Sequence, residues 1–182
     1  MSANYGRLQR LSGDKGYTFL ELLIVIVIIS ILIAVALDRH SKLLVDVERT
    51  SMQHDLGVMR SAIGMQVAEH FLTGNMAGLK NLVNSNPMDL LAEKPKNYIG
   101  LISYREADEV EVGSWYYDTD INALIYLVIN DRYFETDLKP ARARFKIYPV
   151  YSDKKQGSLS KTYQSGLSLR SMEPYRWLKS TD

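Results

Sequence analysis

The chain of 182 residues contains no cysteine, which excludes disulfides, a thiolate nucleophile and cysteine-based zinc sites. Proline is scarce, five residues in all, and none precedes Pro87, so the side chain that most reliably kinks or ends a helix is missing from the first half. Histidine is confined to His40, His54 and His70, whose separations of 14 and 16 residues do not make a short metal-binding pair. H-E-x-x-H, G-x-S-x-G, Walker A and dinucleotide-binding glycine patterns are all absent. The chain is therefore read as no enzyme, with no catalytic residue, metal ligand or cofactor to assign. A marked excess of one charge is lacking too: 22 Lys+Arg face 21 Asp+Glu, a formal +1, and 46% apolar content excludes a collagenous or largely disordered chain.

What is present is unevenly distributed. Residues 17–37, YTFLELLIVIVIISILIAVAL, hold 18 apolar residues in 21 and a single charge, Glu21. As a helix this run extends roughly 31 Å, about the thickness of a bilayer hydrocarbon core. From Leu22 to Leu37 only Ser30 is polar, and a helix apolar on all sides inside a soluble protein would need more chain around it than the 145 residues that follow. Arg7, Arg10 and Lys15 outweigh Asp14 ahead of the run, which keeps the short N-terminal segment in the cytoplasm and sends the C-terminal part across. Ala34-Val35-Ala36 offers a weak match to a secretory cleavage site behind the run.

The sharper signal lies in front of it. Lys15-Gly16-Tyr17-Thr18-Phe19-Leu20-Glu21 joins a basic leader ending in glycine to an aromatic residue, threonine, two apolar residues and a glutamate at the start of a hydrophobic helix. This resembles the signature of type IV pilins and pseudopilins, and with the leader it covers about a fifth of the chain. The resemblance implies that prepilin peptidase cuts between Gly16 and Tyr17, methylates the new amino group of Tyr17 and leaves the apolar segment in place. Glycine before the cut suits close approach by a protease. Three positions depart from the family pattern: Tyr17 replaces the more usual phenylalanine, Ser30 a frequent glycine, and Asp38 a proline that kinks the helix in many members.

Glu21 carries the assembly argument. A carboxylate in lipid costs roughly 2.5–3.5 kcal/mol on insertion scales, so it needs a partner or a function. After cleavage the nearest cation is a terminal ammonium, that of its own Tyr17 or of a neighbouring subunit, and the resemblance favours the neighbour, with Glu21 setting register. The alternative is that Glu21, five residues into the segment, lies near the headgroups and snorkels to water.

Beyond Leu37 the helix is expected to continue to about Phe71. Val45, Met52, Leu56, Met59, Ile63 and Val67 recur at spacings of 7, 4, 3, 4 and 4, one face of an α-helix, while Thr50, His54, Gly57, Ser61, Gly64 and Ala68 form a small or polar face opposite. The apolar stripe is read as core, and local bending is expected at Gly57 and Gly64. Thr73-Gly74-Asn75 ends the helix, residues 79–83 form a short helical turn, and Pro87 and Pro95 restrict an irregular connection. Strand composition marks residues 114–117 and 123–129, with a hairpin between them, and 144–151; residues 98–104 and 162–169 are further candidates. The expected fold is α+β, three to five antiparallel strands packed on a long N-terminal helix, the pilin arrangement. The expected parts are a leader (1–16), an apolar membrane-spanning and filament-core helix (17–37), an amphipathic helix (38–72) and a globular domain (73–182).

Asp118, Asp120 and Asn122 alternate as hard-cation ligands do, but no glycine at the sixth position and no glutamate at the twelfth completes an EF-hand loop, so they are read as a solvated hairpin turn. Residues 17–138 contain 9 Lys+Arg and 17 Asp+Glu, a net −8, and residues 139–182 contain 10 and 3, a net +7. Opposed faces of this kind suit a head-to-tail contact between subunits. Lys154, Lys155, Lys161 and Arg170 among Tyr151, Tyr163 and Tyr175 leave nucleic acid as a lesser alternative.

Together these readings describe a structural subunit of a type IV pilus-like filament, a minor pilin or pseudopilin rather than a major pilin. Its expected partners are prepilin peptidase, other pilin-like subunits, an inner-membrane assembly platform and the membrane. It would sit in the bacterial inner membrane with its C-terminal domain in the periplasm, and later in a periplasmic or extracellular filament. Type II secretion and DNA uptake are the machines considered; a membrane-anchored periplasmic binding or adhesion module that never assembles is the rival from another class.

Overall fold

The computed structural model describes residues 18–103, 110–156 and 159–178. Contacts divide the chain into two compact units, one ending at Ser41 and the other starting at Lys42. Helix α1, Phe19–Leu72, contributes to both. In the first unit every side chain from Phe19 to Leu37 is exposed, as an apolar helix awaiting lipid or other helices should be.

The second unit is a helix on a sheet. Val45, Met52, Leu56, Met59 and Ile63 are buried and Val67 is half-buried, whereas Thr50, His54, Gly57, Ser61, Gly64 and Ala68 are all exposed. The spacing of the apolar residues thus chose the buried face. No break occurs at Gly57 or Gly64, which lie in open space on the outer face; packing of the stripe offsets their propensity cost of about 1 kcal/mol each. Gly74 ends the helix with a positive φ of 71°, its N–H donating to Phe71 O at 3.3 Å. A 3-10 turn (Met76–Gly78), a short helix α2 (Leu79–Leu82) and a second 3-10 turn (Pro87–Leu90) follow. The Asn75 and Asn86 side chains cap the two turns by accepting the N–H groups of Gly78 and Met88.

Among the described residues seven strands come next: β1 (Tyr98–Ile102), β2 (Trp115–Asp118), β3 (Ala123–Leu127), β4 (Phe134–Glu135), β5 (Arg142–Gln156), β6 (Leu159–Ser171) and β7 (Arg176–Trp177). Five of them form one sheet in the order β1-β2-β3-β5-β6, and β4 pairs with β7 alone. The α+β arrangement of a long helix on a mostly antiparallel sheet is the one expected. One pair departs from it: β1 runs parallel to β2, Tyr98 opposite Trp115. Two adjacent parallel strands need a connection that returns the chain to the starting end, and apolar patterning carries no information about direction. The 114–117 and 123–129 strands appear as β2 and β3 within two residues, and β3 stops early because the N–H groups of Ile129 and Asn130 turn toward α1. The 144–151 and 162–169 strands are longer than composition suggested, since β5 and β6 stay paired as far as Gln156 and Leu159.

Alternate residues of the sheet serve two clusters. Trp115, Tyr126 and Phe145 meet on the helix side, the indole 4.8 Å from Tyr126 and 5.9 Å from Phe145 between ring centroids, above Met52, Leu56 and Met59. On the other side Tyr116, Ile125 and Leu127 pack with Ile102, Val110 and Ile121. Both faces of β2 and β3 are therefore covered, which explains why these strands read as continuous apolar runs.

Candidate functional site

The chemistry singled out in the sequence sits at the start of α1. Thr18 precedes the first helical residue; its hydroxyl accepts the Glu21 N–H at 3.2 Å and its carbonyl the Leu22 N–H at 3.1 Å. Thr18-x-x-Glu21 is the spacing of a capping box, which satisfies helix donors that lack an intrahelical partner. The Glu21 carboxylate lies in the first turn, where the helix dipole favours negative charge. Among the described residues no cation pairs with it. Ser30, the other polar residue of the run, is neutralised locally: its hydroxyl donates to Ile26 O at 2.8 Å. Gly16 and Tyr17, the expected cleavage pair, lie outside the described residues.

The comparisons bear on this end of the chain. Residues 11–37 match the family model described as the prokaryotic N-terminal methylation motif. The chain carries a type IV pilin-like class III signal. No curated protein and no solved structure matches the chain. The signal supports type IV pilin-like family membership and points to a structural protein rather than an enzyme. It suggests processing by prepilin peptidase and other pilin subunits as partners. With a helix long and apolar enough to cross a membrane, none of whose most apolar stretch is buried, it is consistent with membrane anchoring before assembly.

Among the described residues no three His, Cys, Asp or Glu side chains gather where they could hold a metal. The expected solvated turn is corrected at Asp118, which is buried: its carboxylate folds back to accept the N–H groups of Asp120 at 2.9 Å and Ile121 at 3.2 Å, while Asn122 takes a positive φ of 49°. Much of the basic C-terminal charge is likewise engaged within the fold. Arg144 forks onto Glu173, Arg176 meets Glu135 at 2.7 Å, Lys146 donates to Ile121 O at 3.3 Å, and Arg170 lies 5.4 Å from the Tyr148 ring centroid. Lys154 and Lys161 are backbone partners in the β5–β6 register.

Two acids on α1 belong to no sequence motif. Glu48 is 6% exposed and accepts four hydrogen bonds, from the Tyr126 hydroxyl (3.1 Å), Ile129 N–H (2.7 Å), Asn130 N–H (3.0 Å) and Asn130 Nδ2 (2.7 Å). Burial and this carboxylate push the Tyr126 phenol far above its ordinary range. Asp55, half-buried, accepts the Trp115 indole N–H at 2.9 Å, and loss of hydration raises its carboxyl above the usual carboxylate value. The signal for Glu48 was available: three residues after Val45 and four before Met52, it stands on the apolar stripe.

Proposed function

We propose that the chain is a structural subunit of a type IV pilus-like filament. It is made as a membrane-anchored precursor whose leader, residues 1–16, is removed between Gly16 and Tyr17, with N-methylation of Tyr17. Residues 17–37 then hold it in the inner membrane, the globular part (73–182) and its amphipathic helix (38–72) in the periplasm, until an assembly platform moves it into the fibre. Assembly replaces lipid around the apolar helix by helices of other subunits, both apolar surroundings. The observation that carries this reading is the methylation motif ending in an apolar helix whose single acid, Glu21, stands in the first turn. Unpaired in lipid that carboxylate costs roughly 2.5–3.5 kcal/mol; facing the ammonium of a neighbouring Tyr17 it becomes a register signal instead.

A minor pilin or pseudopilin role, in a pilus, a type II secretion system or a DNA-uptake apparatus, fits better than a major one. The absence of cysteine removes the C-terminal disulfide of many major pilins. Mass spectrometry of the mature N-terminus tests the proposal: methyl-Tyr17 is expected, and an uncleaved Met1 would mean a simple membrane anchor. Glu21→Gln tests the register role; normal incorporation of this variant into filaments sinks it.

A further inference from the structure

The apolar run of α1 ends on a polar band of definite thickness. After Leu37 come five consecutive polar residues, Asp38-Arg39-His40-Ser41-Lys42, and exposed apolar side chains resume at Leu43. At 1.5 Å per residue the band is about 7.5 Å tall. A bilayer with a hydrocarbon core of about 30 Å and a full thickness of about 40–45 Å carries a headgroup layer of about 5–7.5 Å on each side. Where residues 17–37 fill the core, the band coincides with the headgroup layer of the leaflet opposite the leader.

Two of its side chains are free to use that position. Arg39 and His40 lie in the first unit and are exposed, and among the described residues neither side chain has an ion pair or a hydrogen bond. Successive residues of a helix point about 100° apart, so the two meet different lipids rather than one. Helical side chains lean toward the N-terminus, which carries the Arg39 guanidinium back along the axis to the border between acyl chains and phosphates. Residues 38–42 hold two Lys+Arg and one Asp, a net +1 with histidine neutral. Basic residues ordinarily gather at the cytoplasmic end of a span, where Arg7, Arg10 and Lys15 already set the orientation. Orientation therefore does not account for Arg39; a contact at the opposite end does.

We propose that Arg39 and His40 form a collar that binds phospholipid phosphate groups of the leaflet opposite the leader, with a preference for anionic headgroups. The inference rests on the membrane-anchored precursor and names the lipid that holds its second end. Arg39 offers a guanidinium fork matched to two phosphate oxygens, and His40 donates a ring N–H in either tautomer. A zwitterionic headgroup brings its own ammonium to the phosphate and gains little from the positive band. An anionic headgroup keeps the whole attraction, which is worth about fivefold in binding for each basic residue near the surface. Extraction into a fibre breaks these contacts, so the collar retains the chain in the bilayer until the assembly platform removes it.

The test uses the full chain in nanodiscs of phosphatidylcholine doped with phosphatidylglycerol that carries a photoreactive diazirine on its headgroup; mass spectrometry then locates the crosslinked residues. Crosslinks to residues 36–43 are expected, and unlabelled phosphatidylglycerol in place of part of the phosphatidylcholine should suppress them. Arg39→Gln should lower their yield about fivefold, and adding His40→Gln should lower it further. Crosslinks to residues 1–16, where Arg7, Arg10 and Lys15 meet the other leaflet, should keep their wild-type yield and serve as the internal control. Both substituted positions are exposed, so the thermal midpoint should stay at the wild-type value. An undiminished yield at residues 36–43 in the double variant or under excess unlabelled phosphatidylglycerol overturns the collar, and so does an absence of crosslinks there while those at 1–16 persist. A chain that crosslinks at neither end and is washed from membranes by alkaline carbonate rejects the anchored precursor with it.

Discussion

Glu48→Ala probes the most highly coordinated side chain of the second unit. The carboxylate binds the Tyr126 hydroxyl and three donors of the 129–130 turn. A hydrogen bond to a charged group is worth about 1.5–3 kcal/mol, so four taken separately would sum to roughly 6–12 kcal/mol. That sum overshoots, because bonds sharing one acceptor group are not additive. After truncation, water reaches the exposed Ile129 and half-buried Asn130, whereas the Tyr126 hydroxyl stays dry. Counting about 1–2 kcal/mol for the stranded phenol and about 0.5–1 for each of the other three donors gives a loss of about 2.5–5 kcal/mol. This overlaps the range for removing one partner of a buried charged pair, and it lowers the melting temperature of a chain this size by roughly 10 °C. Urea unfolding of the detergent-solubilised full chain, followed by the fluorescence of Trp115 and Trp177, measures it. Glu48→Gln keeps one carbonyl acceptor but turns an NH2 group toward donors, and should lose about 2 kcal/mol. A Glu48→Ala loss below about 1 kcal/mol, or no coupling to Tyr126→Phe in a double-mutant cycle, would refute the reasoning.

The remaining predictions concern smaller features. Asp55→Asn keeps an acceptor for the Trp115 indole while removing a charge that burial disfavours. Because the folded carboxyl is raised above 3.8, the stability linked to its proton is present below that pH and lost as pH rises through the folded value. The variant should therefore match or exceed wild type near pH 7 and lose its relative advantage toward pH 3; a widening advantage at acid pH contradicts the assigned cause. For Tyr126 the same sign places the loss in alkali: its contribution is intact below 10.0 and falls as pH rises through the folded value, so absorbance titration should find a phenol that ionises only with unfolding. Gly113→Ala meets both a positive φ and the Ile129 side chain, and should cost about 1–3 kcal/mol in the same urea assay. Asp118→Ala removes two hydrogen bonds from the β2–β3 turn and should cost about 1–2 kcal/mol, measured by thermal unfolding.

The buried face of α1 was legible because a 3.6-residue period needs only local sequence, and Val45 to Val67 supply six turns of it. The N-terminal signal was legible for the same reason, since its residues are consecutive. What escaped depends on groups distant in sequence. Strands β4 and β7, two residues each, exist through Phe134 meeting Trp177 across 43 positions, and no period spans two residues. The parallel direction of the β1–β2 pair has no counterpart in local apolar patterning. Glu48 stood in plain sight on the stripe, but a glutamate there reads as an interruption until its partners in β3 and the turn after it are known. The 79–83 helical turn and the β2–β3 hairpin were legible from asparagine, glycine and aspartate, whose turn preferences act within a few bonds.

The order of the large sheet leaves β6 at one margin, thirteen residues with a partner on one side only. A row of open backbone donors and acceptors invites strand-to-strand aggregation. This margin is poorly suited to that. Arg170 stands exposed on it, the ladder to β5 slips between Val150 and Tyr151, and Arg60 of α1 donates to the Leu169 carbonyl at 3.4 Å. A second sheet edge laid along β6 would therefore meet an irregular, partly engaged ladder rather than a flat open one.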